Sequence, residues 1–392
     1  MIGIDVSTTS QTPANTGVQR VTRKLASYLG DYTQSQPLCF DLHAKDWRKL
    51  ERKEFIRLFH LETLKPSQTR GRRKNFWSFL KLIRGHRSSS LSVEPSSLNG
   101  FIEPEIFDPV SGFRIKEYKS QVKGPSIAIY YDATPLKLPE LSTRKNVSSF
   151  PIYLKQLLYF DGVAAISKSS KEEILEYWNW LGIKEYPVTV DIPLAVDLQN
   201  QNEGHKVTSD SVPTILCVGS IEGRKNQISL LHAAERLWNE GVSFKLLLIG
   251  LASRTTSGIA MALLNKLSAQ GHPVQWLGHT SEADLELNYA KCHFTVYPSL
   301  AEGFGLPILE SLKNGKPCIC SNLGAIGEIS TKGGCLTVDS PTPTNLASSM
   351  AKLLKDDSLY DEKRLEALQR QLRTWSDYAN DIKEFHESLT SR

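Results

Sequence analysis

From Pro213 onward, short apolar runs alternate with longer stretches in which apolar residues recur at helical spacing. Residues 215–219 and 244–250 read as short buried strands. Residues 226–240 lie between them and are amphipathic, with Leu230, Ala234 and Leu237 on one face and Gly241 where the helix closes. The alternation continues through a helix over 258–270, a strand over 274–277, a helix over 282–290, a strand over 294–297, a helix after Gly305 and a strand over 317–320. Strands that are apolar throughout and separated by helices predict a parallel sheet covered on both faces. Such sheets bind ligands at the carboxyl ends of their strands.

The first half is less regular. Residues 2–6, 126–131, 162–166 and 189–192 read as strands, and 17–29 as a helix after a polar loop. Ser170-Lys-Glu-Glu173 reads as a capping box that opens another helix. The pattern predicts an α/β domain over residues 1–199, with an irregular insertion over about 55–123. Residues 200–211 are polar and aperiodic, the expected linker to a second domain over 212–374. The end of the chain, 375–392, reads as a helix.

Size and composition add bounds. The chain has 392 residues, enough for two ordinary domains, and 23% charged with 40% hydrophobic residues reads as soluble and globular. A net charge of +5 is mild and does not by itself imply nucleic acid. Six cysteines occur without a CxxC pair and mostly in apolar strand contexts, so reduced buried thiols and a reducing compartment are expected, not a zinc site. The start, Met1 to Asp5, lacks a basic region followed by an apolar stretch, so no signal peptide is expected. No apolar run approaches the ~18 residues of a spanning helix. The expected location is cytoplasmic, with any membrane contact peripheral, at an inner face.

The most informative string is Pro298-Ser-Leu-Ala-Glu-Gly-Phe-Gly-Leu-Pro-Ile-Leu-Glu310. A strand runs into a glycine loop and the loop into a helix. Pro307 suits a first helical turn, and Gly303 and Gly305 let backbone approach a ligand closely. The free N–H groups at the helix start suit an anion such as a diphosphate. Glu302 precedes the helix and Glu310 lies within it, so the two carboxylates can accept hydroxyl groups on either side of a diphosphate. Read alone, the string is also compatible with a plain connection carrying two solvated glutamates. A second string, Gly219-Ser-Ile-Glu-Gly-Arg-Lys-Asn226, puts Arg224 and Lys225 at another strand end, where they can offset phosphate charge or form a solvated basic loop.

The first string resembles the EGFGLPxLE signature of the retaining glycosyltransferases of family 4, which have the GT-B fold. That resemblance implies an α/β architecture of two facing Rossmann-like domains with parallel sheets, the first on the acceptor side and the second binding the donor, and a last helix that crosses back to pack on the first domain. It implies that Gly303, Phe304, Gly305 and Leu306 hold the donor diphosphate, that Glu302 meets the donor sugar and that Glu310 meets the ribose. The second string is similar to the family's GxxExRKN variant, in which Gly219, Arg224 and Lys225 serve the donor phosphates. Gly278, after a later strand, corresponds to the nucleotide-base region.

The first half matches more sparsely. Asn15-Thr-Gly-Val-Gln-Arg20 stands where the family has a glycine-rich loop, but only Gly17 is present. Arg20 can face the phosphates across a cleft or lie on a helix surface. In Tyr130-Tyr-Asp-Ala-Thr-Pro135, Tyr131 replaces the family's histidine and Asp132 is kept. A phenol is not a base at neutral pH, and Asp132 can bind sugar hydroxyls or cap a turn. Ser167 and Lys168 resemble a cleft-lining element.

Residues 70–87 are the most basic segment. As a helix they place Phe76, Phe79, Leu80 and Ile83 in one stripe, which suits either an anionic lipid surface or packing on the first domain. The resemblance therefore implies a retaining enzyme that needs no cofactor and no metal, since Asp-x-Asp at a strand end is missing. It would move a hexosyl unit from a nucleoside diphosphate sugar, GDP-mannose by analogy with RKN-type relatives, to a glycan or lipid-linked glycan. A glycogen-synthase-like or sugar-nucleotide-hydrolysing enzyme and a non-catalytic scaffold of the same fold are the alternatives. No nucleic-acid partner is expected.

Overall fold

The computed structural model describes residues 1–31, 35–41, 45–60, 91–198 and 212–390. The predicted linker and the basic segment 70–87 lie outside these described residues.

Seven strands form the first sheet: β1 (Ile2–Asp5), β2 (Ser35–Asp41), β3 (Asp46–Lys49), β4 (Gly100–Glu103), β5 (Ser126–Tyr130), β6 (Gly162–Ala165) and β7 (Val188–Asp191). Their order is β3-β2-β1-β4-β5-β6-β7, parallel except for the β2–β3 hairpin. Six parallel strands form the second: β8 (Thr214–Val218), β9 (Lys245–Ile249), β10 (Val274–Trp276), β11 (Phe294–Tyr297), β12 (Cys318–Ser321) and β13 (Cys335–Val338), in the order β10-β9-β8-β11-β12-β13. Each sheet is built outward from a central parallel pair, so the order in which strands are added reverses between β1 and β4 and again between β8 and β11. Those two switch points are where doubly wound sheets open crevices for ligands. The architecture is α/β, with two doubly wound sheets.

Two expectations from sequence are corrected. The span taken as an irregular insertion contains β4, a central strand, and the helix Pro109–Lys119. Four residues bounded by Ser, Asn and Pro give too short a periodic signal to read, although β4 is buried throughout. The helix Lys168–Trp180 is opened by Ser167, whose Oγ accepts from Ser170 N at 3.0 Å, and not by the Ser170 box.

The last helix, Trp375–Thr390, buries Trp375, Tyr378, Ile382 and Phe385 in the same core as Ile4, Val21 and Leu25 of the first sheet and of helix Gly17–Asp31. Val196 N donates to Arg373 O at 3.1 Å where the chain crosses back. Gly100 and Gly162 leave room for this helix: a methyl group at position 100 would collide with His386, and one at 162 would lie 2.7 Å from Phe385. All six cysteines are buried and free. Among the described residues no helix is long and apolar enough to cross a membrane.

Gly100→Ala should therefore cost about 1–3 kcal/mol, the usual range for overpacking, by pushing the last helix off β4. Urea denaturation would show it as a lower midpoint with an unchanged slope; an unchanged midpoint would mean that the helix is not seated as described.

Candidate active site

β8 and β11 flank the switch point of the second sheet, and each ends in one of the two strings singled out from sequence. After β11 the chain forms the loop to helix Leu306–Lys313, with Gly305 at its N-cap in a positive-φ conformation (φ 134°) that a side chain would strain. Pro307 sits in the first turn. After β8 a short turn over Gly223–Lys225 leads through Asn226, itself at φ 55°, into helix Gln227–Asn239. Asn226 Nδ2 donates to Pro298 O at 3.2 Å, which ties the two strand ends together.

Glu302 lies between the two cations. Its Oε2 is 2.9 Å from Arg224 Nη1 and its Oε1 is 2.6 Å from Lys225 Nζ. Ser299 Oγ also donates to Oε1. Lys225 Nζ donates to Tyr297 Oη at 2.7 Å, and Arg224 Nη2 meets Glu222 at 2.9 Å. Burial pushes the Glu302 carboxyl up, but Lys225 and Arg224 outweigh it and hold the pKa at about 2. Burial likewise pulls Arg224 down, and Glu302 and Glu222 more than offset it, so its pKa lies above the ordinary arginine value. The result is a fixed, charged cluster at the end of two adjacent strands, beside the free amides of a helix start.

Glu310 points the other way. Its Oε2 accepts from Tyr289 Oη at 2.8 Å, and its Oε1 pairs with Arg20 of helix Gly17–Asp31, which packs on the first sheet. Glu310, acting first through its charge, raises the Arg20 pKa. A carboxylate oxygen has two lone pairs, so each can accept a further hydroxyl.

The first sheet meets this site at β5. A side chain at Gly303 would run into the Tyr131 carbonyl, and Ser170 Oγ lies within reach of both Tyr131 O (2.6 Å) and Gly303 O (3.3 Å). Asp132 caps the following turn, accepting from Thr134 N at 2.8 Å, and its charge acts on Arg224. Lys168 N and Ser169 N donate to Glu328 at 3.1 and 2.6 Å, a second tie between the two halves.

The other predicted positions divide. Phe304 is buried in the core, and Leu306 is partly buried at the helix start. Gly219 has φ 146° and stands 3.9 Å from Lys225 at the point where a Cβ would be, while Gly278 has φ 66° and accepts from Gly250 N at 2.8 Å. Gly17 opens its helix in free space, so no close approach demands glycine there. Three side chains do not line the cleft as expected. The Tyr131 phenol turns inward and donates to Pro104 O at 2.6 Å; β5, which it follows, is buried on both faces, so alternation does not point the next residue outward. Ser167 is consumed as a helix cap, and the Lys168 ammonium reaches along its own exposed helix to Glu172 at 3.7 Å.

Sequence reading missed Ser299, Tyr297, Tyr289 and Glu222. Tyr297 stands directly before the string Pro298–Glu310 and Ser299 is its second residue; a buried hydroxyl beside a glutamate is the clue to both. Nothing local marks Tyr289.

Residues 200–372 match the family model described as "Glycosyl transferases group 1". The serotype-specific mannosyltransferase WbdA of Escherichia coli is 26% identical over 220 residues, covering 51% of this chain and 26% of that protein. The O-antigen chain mannosyltransferase B of Escherichia coli is 33% identical over 144 residues, covering 36% of this chain and 37% of that protein. The chain thus spans roughly a quarter to two-fifths of the length of these relatives. The structure of Anabaena Alr3699/HepE in complex with UDP and glucose superposes with a TM-score of 0.66 at 15% identity over 99% of both chains, a likeness of fold. The family likeness is thus to residues 200–372, and the likeness over the whole chain is one of fold, the two-sheet α/β GT-B architecture.

The Glu302 cluster has a pH signature. Its carboxyl is depressed from 4.5 to about 2 in the folded chain, so its contribution is complete above the unfolded value and is lost as pH falls from about 4.5 towards 2. The stability gap between the native chain and Glu302→Gln should narrow by on the order of 3 kcal/mol between pH 5 and pH 2. Denaturant titrations at several pH values would measure it; a gap independent of pH would contradict the buried ion cluster.

Proposed function

We propose that this chain is a retaining, metal-independent glycosyltransferase that moves a mannosyl or closely related hexosyl unit from a nucleoside diphosphate sugar to a glycan acceptor. The observation that carries the reading is Glu302 held between Arg224 and Lys225 at the switch point of the second sheet, beside the free amides of Gly303 to Leu306. The mannosyl donor follows the names of the relatives, and GDP-mannose is the donor favoured by the RKN string.

The chemistry needs little more than charge and position. The loop amides and the two cations take the diphosphate and stabilise the charge that grows as the glycosidic bond to phosphate breaks. Glu302 accepts hydrogen bonds from the donor sugar and fixes its ring. Glu310 accepts from the ribose, whose hydroxyl takes up a lone pair on the carboxylate that faces Arg20. Asp132, across the cleft from Arg224, orients a donor or acceptor hydroxyl. The departing phosphate oxygen accepts the proton of the attacking acceptor hydroxyl on the same face of the sugar, so the anomeric configuration is retained without a separate base. No divalent ion is required in this scheme, because the cations are side chains. Contact with an anionic membrane through residues 70–87 belongs to this proposal as the route to a lipid-linked acceptor.

Glu302→Ala and Lys225→Ala should each lower transfer by roughly 10²–10³-fold, the usual loss when one preorganised charge partner is removed, and a chelator should leave the rate unchanged. A panel of nucleoside diphosphates in thermal unfolding should pick out one base by the largest rise in midpoint. Nucleotide binding without turnover would favour a non-catalytic scaffold, donor hydrolysis unaffected by any acceptor would favour a sugar-nucleotide hydrolase, and near-normal rates in both variants would refute the site.

A further inference from the structure

A cavity of about 180 Å³ lies away from the signature loop. It opens at the switch point of the first sheet, where β1 ends in Asp5 and β4 in Glu103. This is the position in the first sheet that the Glu302 cluster holds in the second. Its floor is made by Asp5, Glu103 and Glu105, its walls by Phe40, Trp47 and Phe107, and Ser111 and Arg114 of helix Pro109–Lys119 also line it.

The polar groups here are satisfied with one exception. Asp5 accepts from Ser7 and, at 2.9 Å, from Trp47 Nε1. Glu105 accepts from Thr8 N and Thr9 N at 2.6 Å each. Glu103 Oε1 accepts from Glu105 N at 3.0 Å. Glu103 Oε2 has no donor among the described residues apart from the neighbouring Asp5 carboxyl, with which a proton can be shared, although the residue is only 1% exposed. Its carboxyl lies beside that of Asp5, and burial followed by the charges of Asp5 and Glu105 raises its pKa well above the usual carboxylate range. Burial likewise raises Glu105 to about 7. Burial thus disfavours the charged form of all three carboxyls. None of them forms an ion pair among the described residues.

Acceptor oxygens on a floor between aromatic walls suit an uncharged polyhydroxylated ring. Hydroxyls can donate to the carboxyls while the C–H face lies on the rings, and Phe40 and Trp47 hold each other edge to face at 4.7 Å. The volume is below the ~300–1,000 Å³ of drug-sized pockets, so it admits one ring and not a chain. The cavity is also joined to the signature loop. Tyr131 donates through its phenol to Pro104 O, between Glu103 and Glu105, while its own carbonyl abuts Gly303.

We propose that this cavity is a hexose subsite that holds one residue of the glycan acceptor, with Glu103 and Glu105 accepting its hydroxyls and Trp47 and Phe107 packing on its ring. The assignment of that sugar to an acceptor rests on the function proposed above. Tyr131 is then a positioning residue that sets the Glu103-Pro104-Glu105 turn against the donor loop.

Saturation-transfer NMR on the full chain, without nucleotide, tests it with methyl α-mannopyranoside, methyl α-glucopyranoside and methyl α-galactopyranoside as probes. At least one glycoside should receive saturation from the native chain. The signal should disappear in Ser111→Trp, which fills the cavity from a partly exposed helix position, and should fall at least tenfold in Glu103→Ala. Thermal unfolding shows whether each variant is folded, and Ser111→Trp suffices if Glu103→Ala is not. No saturation with any of the three sugars, or a signal that survives in folded Ser111→Trp, overturns the subsite. A parallel titration with GDP and UDP separates the two readings: nucleotide binding without glycoside binding sinks the subsite alone, whereas glycoside binding lost in Ser111→Trp supports the subsite even if neither nucleotide binds, a result that would sink the donor reading instead.

Discussion

One buried carboxylate organises the second half of this molecule. Glu302 follows β11, while its partners Arg224 and Lys225 follow β8, 77 residues earlier for Lys225 by simple subtraction of positions. The sheet order β10-β9-β8-β11-β12-β13 makes these strands neighbours, so their ends can share one charge cluster. Removing one member of such a buried set leaves the others uncompensated, which typically costs about 3–5 kcal/mol. The loop that presents its amides at the start of helix Leu306–Lys313 is therefore held by ion pairs at one end and by the Gly303–Tyr131 backbone contact at the other.

The same logic recurs in the first half with opposite chemistry. Both sheets reverse strand order at their centre, and both put acidic side chains there. In the second sheet the acid is matched by cations and stays ionised. In the first, Asp5, Glu103 and Glu105 have no cationic partner in ion-pair contact among the described residues, and burial raises all three carboxyls above their ordinary range. Equivalent positions in two similar frameworks thus become a charge cluster suited to phosphate and a hydroxyl-accepting pocket suited to sugar. The two halves are tied by Arg20–Glu310, by Glu328 at the start of helix Lys168–Trp180, and by the last helix, which returns to the first sheet.

Much of this was legible in the second half of the sequence because its information is local. Each strand there is a short apolar run, and β8 and β11 lead directly into the two strings, so the positions of Glu302, Arg224 and Lys225 at neighbouring strand ends could be read from local pattern. The first half hides its organisation. β4 is four residues long, β2 contains Pro37, and β3 turns back antiparallel, so none gives a clean period. The resemblance puts Tyr131 in the place of the family's histidine, but it follows β5, a strand buried throughout, which carries no signal for which way the next side chain turns. The Arg20–Glu310 pair spans 290 positions, and no local pattern encodes a contact at that separation.

The most direct test is a structure of this chain with a nucleoside diphosphate bound, prepared in the presence of a chelator. The account predicts β-phosphate oxygens within hydrogen-bonding distance of the backbone amides between Gly303 and Leu306 and of the Lys225 ammonium. A diphosphate lodged at any other place, or one seen only when a divalent ion bridges it to the protein, would contradict it.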